Sequence, residues 1–268
     1  MSTFQGRTVL ITGGASGMGK LMGKRALEQG AAHLIVWDIQ EPMLQQTLDE
    51  FAALPGQAHG YRVDVSDTAA LITAAQHVLQ DIGPVDILIN NAGIVTGKLF
   101  QAHTHADISR SMDINASALM HLTLELLPAM IGRGTGHIVN IASAAGLVAN
   151  PRMSVYCASK WAVIGWSDSL RLEMERLRTG VRVTTVTPFY INTGMFAGVR
   201  SVIPILEPEE AVRRILRGVQ RNRVFVRMPG IIYLLPLVRG LLPLRAFDWF
   251  VGTVLGVYKT MNGFQGRG

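Results

Sequence analysis

Short apolar runs recur along the chain, and between them apolar residues return every third or fourth position. TVLI at 8–11, HLIVW at 33–37, HGYRV at 59–63, VDILI at 85–89, HIVNI at 137–141, VRVTT at 181–185 and VFV at 224–226 read as seven strands. Helical periodicity falls at 17–29, 41–54, 68–81, 107–131, 154–178 and 208–220, with Gly30 as a stop signal after the first. Continuous Val/Ile/Leu runs, each followed by a helix, predict parallel strands buried on both faces. The expected fold is α/β: one doubly wound Rossmann-type domain, a seven-stranded parallel sheet with helices on both sides.

Residues 1–228 form this predicted domain, with a substrate loop at about 189–206, and 229–268 form an apolar extension that is not an independent domain. No linker-like composition or internal repeat divides the 268 residues. Hydrophobic residues make up 49% and charged residues only 16%, a high apolar share for a soluble protein. The excess lies mainly in the extension, in PGIIYLLPLV, LLPL, FDWF and the run 251–257. A membrane-spanning helix needs about 20 mostly apolar residues, and Pro236, Arg239, Pro243, Arg245 and Asp248 interrupt every such window. The extension therefore reads as an interfacial segment or a hydrophobic lid, or as helices packed on the domain or across a subunit interface.

The net charge is +6, but the basic residues are dispersed and no basic run interleaves with aromatics, so nucleic-acid binding is not expected. The single cysteine, Cys157, allows no internal disulfide, and no Cys/His spacing suggests a metal. The N-terminus lacks the pattern of a secretory signal, so cytoplasmic localisation with peripheral membrane association is the expectation.

In a doubly wound sheet, ligands bind beyond the carboxyl ends of the strands. The first strand ends in TGGASGMG, in which Gly13, Ser16, Gly17, Met18 and Gly19 let the backbone turn tightly toward a pyrophosphate at a helix N-terminus. Asp38 ends the second strand. Its carboxylate can accept bonds from adenosine ribose hydroxyls and repel a 2′-phosphate, which favours NAD, although a solvated loop aspartate fits the same position. Asp64 and Val65 follow the third strand, where a carboxylate can reach an adenine amino group. Asn90, Asn91, Ala92 and Gly93 follow the fourth, either as turn chemistry or as room for a nicotinamide ribose. Tyr156 and Lys160 stand four apart on a predicted helix and share a face; a nearby cation favours the phenolate, although in isolation an ordinary amphipathic helix is the better explanation of the pair.

Together, TGGASGMG, Asp64-Val65, NNAG, Asn115, Ser143 and the stretch YCASK resemble the short-chain dehydrogenase/reductase family over about residues 5–228. The resemblance implies a tetrad. Tyr156 is the general acid/base, Lys160 bonds the nicotinamide ribose and lowers the tyrosine pKa, Ser143 bonds the substrate oxygen, and Asn115 holds a water that relays protons from Lys160. It also implies cofactor contacts from Pro188 and Thr193. Phe189 departs from the glycine usual after that proline, which questions the local backbone path. PFYINTGMF and the tail resemble the branch containing retinol dehydrogenases and membrane-associated 17-beta-hydroxysteroid dehydrogenases. The implied activity is NAD-dependent interconversion of a hydrophobic alcohol and its carbonyl by a homodimer or homotetramer. A reductase of fatty-acyl or polyketide intermediates and a non-catalytic cofactor-binding regulator are the alternatives.

Overall fold

A computed structural model describes residues 1–266. Seven parallel strands stand in the order β3-β2-β1-β4-β5-β6-β7: β1 (Thr8–Thr12), β2 (His33–Asp38), β3 (Gln57–Arg62), β4 (Ile87–Asn90), β5 (Gly136–Ile141), β6 (Val181–Pro188) and β7 (Phe225–Met228). The order reverses between β1 and β4, which opens a crevice at their carboxyl ends. Every residue of β1, β4 and β5 is buried, as covering both faces of a parallel sheet requires. Edge strand β3 is more exposed, and Gly60 within it makes room for Leu44 and Leu48.

Helices α1 (Gly17–Glu28), α2 (Glu41–Phe51) and α7 (Pro208–Gln220) cover one face, burying Met22, Leu44 and Ile215 against Ile11, Val36 and Val226. On the other face, α3 (Thr68–Asp81), α5 (Ala118–Gly132) and α6 (Ser154–Arg176) bury Leu71, Leu122 and Leu170 against Leu10, Leu88 and Ile138.

The helix expected over 107–131 is present as one helical run with a π turn inside it. It begins earlier, as α4 (His105–Met112), because Thr104 and Asp107 cap each other: Thr104 Oγ1 accepts the Asp107 N–H at 3.1 Å, and Asp107 Oδ2 accepts the Thr104 N–H at 2.8 Å. It then widens into a π turn at Asp113–Ser117 before α5. His105–Gly132 has the length and composition to cross a membrane, yet half of its apolar 18-residue stretch is buried within the domain. Smaller boundary shifts occur at β3, β4 and β7, within the usual fraying of element ends.

After β7 the chain does not leave the domain. A 3-10 turn at Gly230–Tyr233, α8 (Leu235–Leu241), α9 (Leu244–Trp249), a π turn at Phe250–Val254 and a 3-10 stretch at Val257–Gly263 return across the sheet's carboxyl end. Ile232, Leu235, Phe247, Val251 and Val257 bury themselves against Ala144, Val148 and Ile203. Arg239 fixes α8 to α6 and its approach: its guanidinium lies 4.4 Å from the Trp161 ring and donates to the Leu147 carbonyl at 3.0 Å.

Candidate active site

A cleft of about 570 Å³ runs along the carboxyl ends of the strands. Gly13, Ser16, Met18, Asp38, Asp64, Val65, Asn91, Ala92, Gly93, Ser143, Tyr156, Lys160, Pro188 and Thr193 all line it. Gly17, Gly19 and Asn115 do not.

The glycine turn explains the first two of these exceptions. Gly13 and Gly17 have φ of +62° and +53°, the left-handed region that favours glycine. A β-carbon on Gly19 would lie 2.1 Å from the Gly13 carbonyl oxygen, so Gly19 lets the turn close against α1 from behind. Gly13, Ser16 and Met18 face the cleft at the N-terminus of α1, where the helix dipole favours an anion.

Asp38 has a structural duty that its sequence position does not reveal. Its Oδ2 accepts the Ala15 N–H at 3.0 Å and its Oδ1 the Gln40 N–H at 3.1 Å, so it pins the glycine turn while lining the cleft. Asp64 likewise orders its own turn, accepting from the backbone N–H of Ser66 at 2.9 Å and from its hydroxyl at 2.6 Å.

The NNAG segment divides its labour. Asn90 is buried and donates to Asn140 at 2.8 Å. Asn91 Nδ2 donates to the carbonyls of Thr12 and Gly13, both at 3.0 Å, and Thr12 Oγ1 accepts the N–H groups of Asn91 and Ala92. The asparagines thus stitch β4 to the glycine turn, while Ala92 and Gly93 leave space at the crevice.

Ser143, just after β5, lines the cleft with Tyr156 and lowers the pKa of its phenol. Tyr156 and Lys160 occupy one face of α6, with the ammonium 5.7 Å from the phenol ring centroid. Both are buried. Burial raises the Tyr156 pKa above the ordinary phenol range, opposed by the neighbouring Ser143 hydroxyl; it lowers that of Lys160 to about 8. Lys160 Nζ donates to the Ile141 carbonyl at 2.9 Å, which holds the ammonium on the face of α6 that carries Tyr156.

Asn115 lies in the π turn with no exposed surface. Its Oδ1 accepts the Ile94 N–H at 2.8 Å, and its Nδ2 donates to the Ile94 carbonyl at 3.0 Å and to Ser159 Oγ at 3.2 Å. Both amide protons are spent on protein partners. The side chain thereby fixes the segment after Gly93 against α6.

Phe189 causes no break in the backbone path. Among the described residues, positive φ at non-glycine positions is confined to Arg152, Arg178 and Asn222, so position 189 does not require glycine. The Phe189 N–H donates to the Met228 carbonyl at 2.8 Å, extending the β6–β7 pairing by one residue. Pro188, Ile191, Thr193, Met195 and Phe196 then line the cleft.

Behind Ser143 a narrower apolar chamber of about 40 Å³ shares Ser143, Phe189 and Phe196 with the cleft. The extension supplies Ile231, Ile232, Leu235, Val251, Leu255 and Val257 to its lining. At its edge, Asn150, Tyr190 and Thr260 form a buried network absent from the sequence reading. Thr260 donates its proton to the Val257 carbonyl at 2.8 Å, so the Tyr190 hydroxyl donates to Thr260 at 2.8 Å. Asn150 Nδ2 donates to Tyr190 at 3.1 Å and to Thr260 at 3.0 Å. No local signal pairs residues so far apart in sequence.

A sequence profile described as short chain dehydrogenase matches residues 7–203. Epidermal retinol dehydrogenase 2 of Mus musculus is 36% identical over 269 residues, covering 98% of this chain and 86% of that protein. Estradiol 17-beta-dehydrogenase 11 of Homo sapiens is 36% identical over 243 residues, covering 90% and 80%. Among solved structures, a short-chain dehydrogenase/reductase from Burkholderia phymatum in complex with NAD superposes with a TM-score of 0.82 at 25% identity, covering 92% of this chain and 95% of that one. A short-chain dehydrogenase from Sphingobium yanoikuyae in complex with NADPH gives 0.79 at 28% identity, covering 87% and 92%.

Proposed function

The chain belongs to the short-chain dehydrogenase family of oxidoreductases, and from that premise we propose that it interconverts hydrophobic alcohols and their ketones or aldehydes with NAD(H). The observation that carries this reading is one continuous cleft with Gly13 and Asp38 at one part and the Ser143–Tyr156 pair beside an apolar chamber at another.

The cleft fits a nicotinamide dinucleotide: Gly13, Ser16 and Met18 line it at a helix N-terminus, and the absent β-carbons of Gly13 and Gly19 let the turn lie close against Asn91 and Ala92. Gly13, Ser16 and Met18 would hold the pyrophosphate, Asp38 the adenosine ribose, and Asp64 with Val65 the adenine. Asn91, Ala92, Gly93, Lys160, Pro188 and Thr193 would hold the nicotinamide half. Asp38 lines the cleft beside Ile39 and Gln40, so a carboxylate with uncharged neighbours supports NAD over NADP. The cofactor, when bound, supplies the hydride chemistry.

Tyr156 passes the proton between its hydroxyl and the substrate oxygen, and Ser143 donates a hydrogen bond where charge develops on that oxygen. Lys160, cationic below about pH 8, lends positive charge to the same face of α6 and favours the phenolate. Gly17, Gly19 and Asn115 act as positioning residues.

The apolar chamber behind Ser143 supports a hydrophobic substrate. The arginines of α7 give less support to docking of an acyl carrier: Arg214 and Arg213 share Glu210, and Glu209 is taken by Arg25 of α1, which offsets part of the positive charge there. Exposed Leu234, Leu237, Leu241, Leu244 and Trp249 support peripheral membrane contact by the extension, with cytoplasmic localisation. Exposed Leu124 on α5 and Leu172 on α6 support a homodimer or homotetramer through these helices.

Absorbance at the NADH band during a screen of aliphatic, terpenoid, retinoid and steroid alcohols, with NAD⁺ and NADP⁺ in parallel, tests the reading. Turnover of apolar alcohols with NAD⁺ is expected; a clear preference for NADP⁺, or for polar substrates, would contradict it.

A further inference from the structure

Residues 260–266 cross the cleft between the loop after β4 and the loop after β6. Thr260 anchors the near end through Asn150 and Tyr190, and the Gln265 N–H donates to the Ala197 carbonyl at 2.9 Å on the β6 side. On the β4 side the Phe264 ring sits against Gly97, where a β-carbon would lie 2.3 Å from ring atom Cδ1. Gly198 has φ of +82°, and a β-carbon there would lie 2.0 Å from the Gly263 carbonyl oxygen. One glycine on each loop therefore leaves room for this strap, a close approach that other residues obstruct.

The strap also faces the chemistry. Phe264, Gln265 and Gly266 line the cleft that contains Tyr156 and Lys160. Phe264 packs in one apolar cluster with Val95, Phe196, Met261 and Tyr156, and the Phe196 ring meets the Tyr156 ring edge-on at 6.2 Å between centroids. Aliphatic and phenyl side chains sort ligands by shape and apolar area, so discrimination at this wall is steric.

We propose that Phe264, seated in the notch left by Gly97, is a specificity-determining residue that selects apolar alcohols and carbonyls by their girth near the reacting carbon. The assignment rests on the cleft being the hydride-transfer site. It predicts that Phe264→Ala widens the cleft, whereas Gly97→Ala drives the ring inward and narrows it. One methylene in an apolar pocket discriminates by about 10- to 200-fold. Phe264→Ala should therefore raise the kcat/KM ratio of a branched over a linear alcohol of equal carbon number by about tenfold or more, with Phe264→Leu intermediate. Gly97→Ala should lower that ratio, and its penalty should shrink markedly when combined with Phe264→Ala, because the closest clashes are with the ring and the remaining one, at 2.8 Å, is with the flexible end of Met261.

The experiment measures kcat/KM for both alcohols in the full-length wild type, the three single variants and the double variant. NADH affinity by fluorescence, expected within about twofold of wild type, confirms folding and separates a wall residue from a cofactor contact. A branched-to-linear ratio unchanged in Phe264→Ala and Phe264→Leu while turnover persists would overturn the assignment, as would an undiminished Gly97→Ala penalty in the double variant. Absence of turnover in the wild type would instead refute the reading of the cleft beneath it.

Discussion

Asn115 and Ile94 are bound to each other twice: the Ile94 N–H donates to Oδ1 at 2.8 Å, and Nδ2 donates to the Ile94 carbonyl at 3.0 Å. The pair closes the segment after Gly93 onto the π turn and, through Ser159, onto the helix that carries Tyr156 and Lys160. Asn115 therefore touches the chemistry through the backbone it holds.

Replacing Asn115 with leucine leaves both polar groups of Ile94 without this partner, and each unsatisfied buried group costs about 1–3 kcal/mol. Denaturant unfolding of Asn115→Leu should show a stability loss of at least about 2 kcal/mol. Wild-type stability would show that the amide is dispensable to the fold.

Asp38 pins Ala15 and Gln40 as well as lining the cleft. Asp38→Ser should thus do two things: lower the melting temperature by loosening the turn, and raise NADP⁺ use relative to NAD⁺ by removing the charge that opposes a 2′-phosphate. Steady-state kinetics with both cofactors checks the second effect, for which a shift of about tenfold is expected. Unchanged selectivity would make Asp38 a purely structural residue.

The sheet and the site differ in how far sequence reasoning reaches. Val9–Ile11, Leu34–Trp37 and Ile138–Ile141 announce buried strands because each residue's environment is set by the same two covered faces. The glycine turn, Asp38, Ser143 and Tyr156 are legible because their chemistry depends on local spacing and on position at strand ends. The π turn at Asp113–Ser117 has no distinctive compositional mark, and the wider turn accompanies the long-range pairing of Asn115 with Ile94. The contacts of Thr260 with Asn150 and of Phe264 with Gly97 are hidden for the same reason, since burial and orientation decide them.

His137 lies buried between Ser2 Oγ at 2.9 Å and Thr184 Oγ1 at 2.8 Å, and burial lowers its pKa to about 4 from an ordinary 6.5. A lowered folded pKa means that the unfolded chain binds the proton more tightly, so the stability from neutral His137 is complete above about pH 6.5 and is lost as pH falls toward 4. The difference corresponds to about 3 kcal/mol. Unfolding free energies measured at intervals from pH 7 to pH 4 should fall more steeply in the wild type than in His137→Gln; parallel curves would remove His137 as the cause.

Proton transfer by Tyr156 in a hydride-transfer cleft is the central claim, and Tyr156→Phe tests it with the loss of one oxygen. General acid/base groups contribute about 10²- to 10⁴-fold to rate, so turnover of an apolar alcohol with NAD⁺ should drop by at least about a hundredfold. NADH affinity, read by fluorescence in the same preparation, should stay within about twofold of wild type. A variant that binds NADH and retains near wild-type kcat would contradict the account.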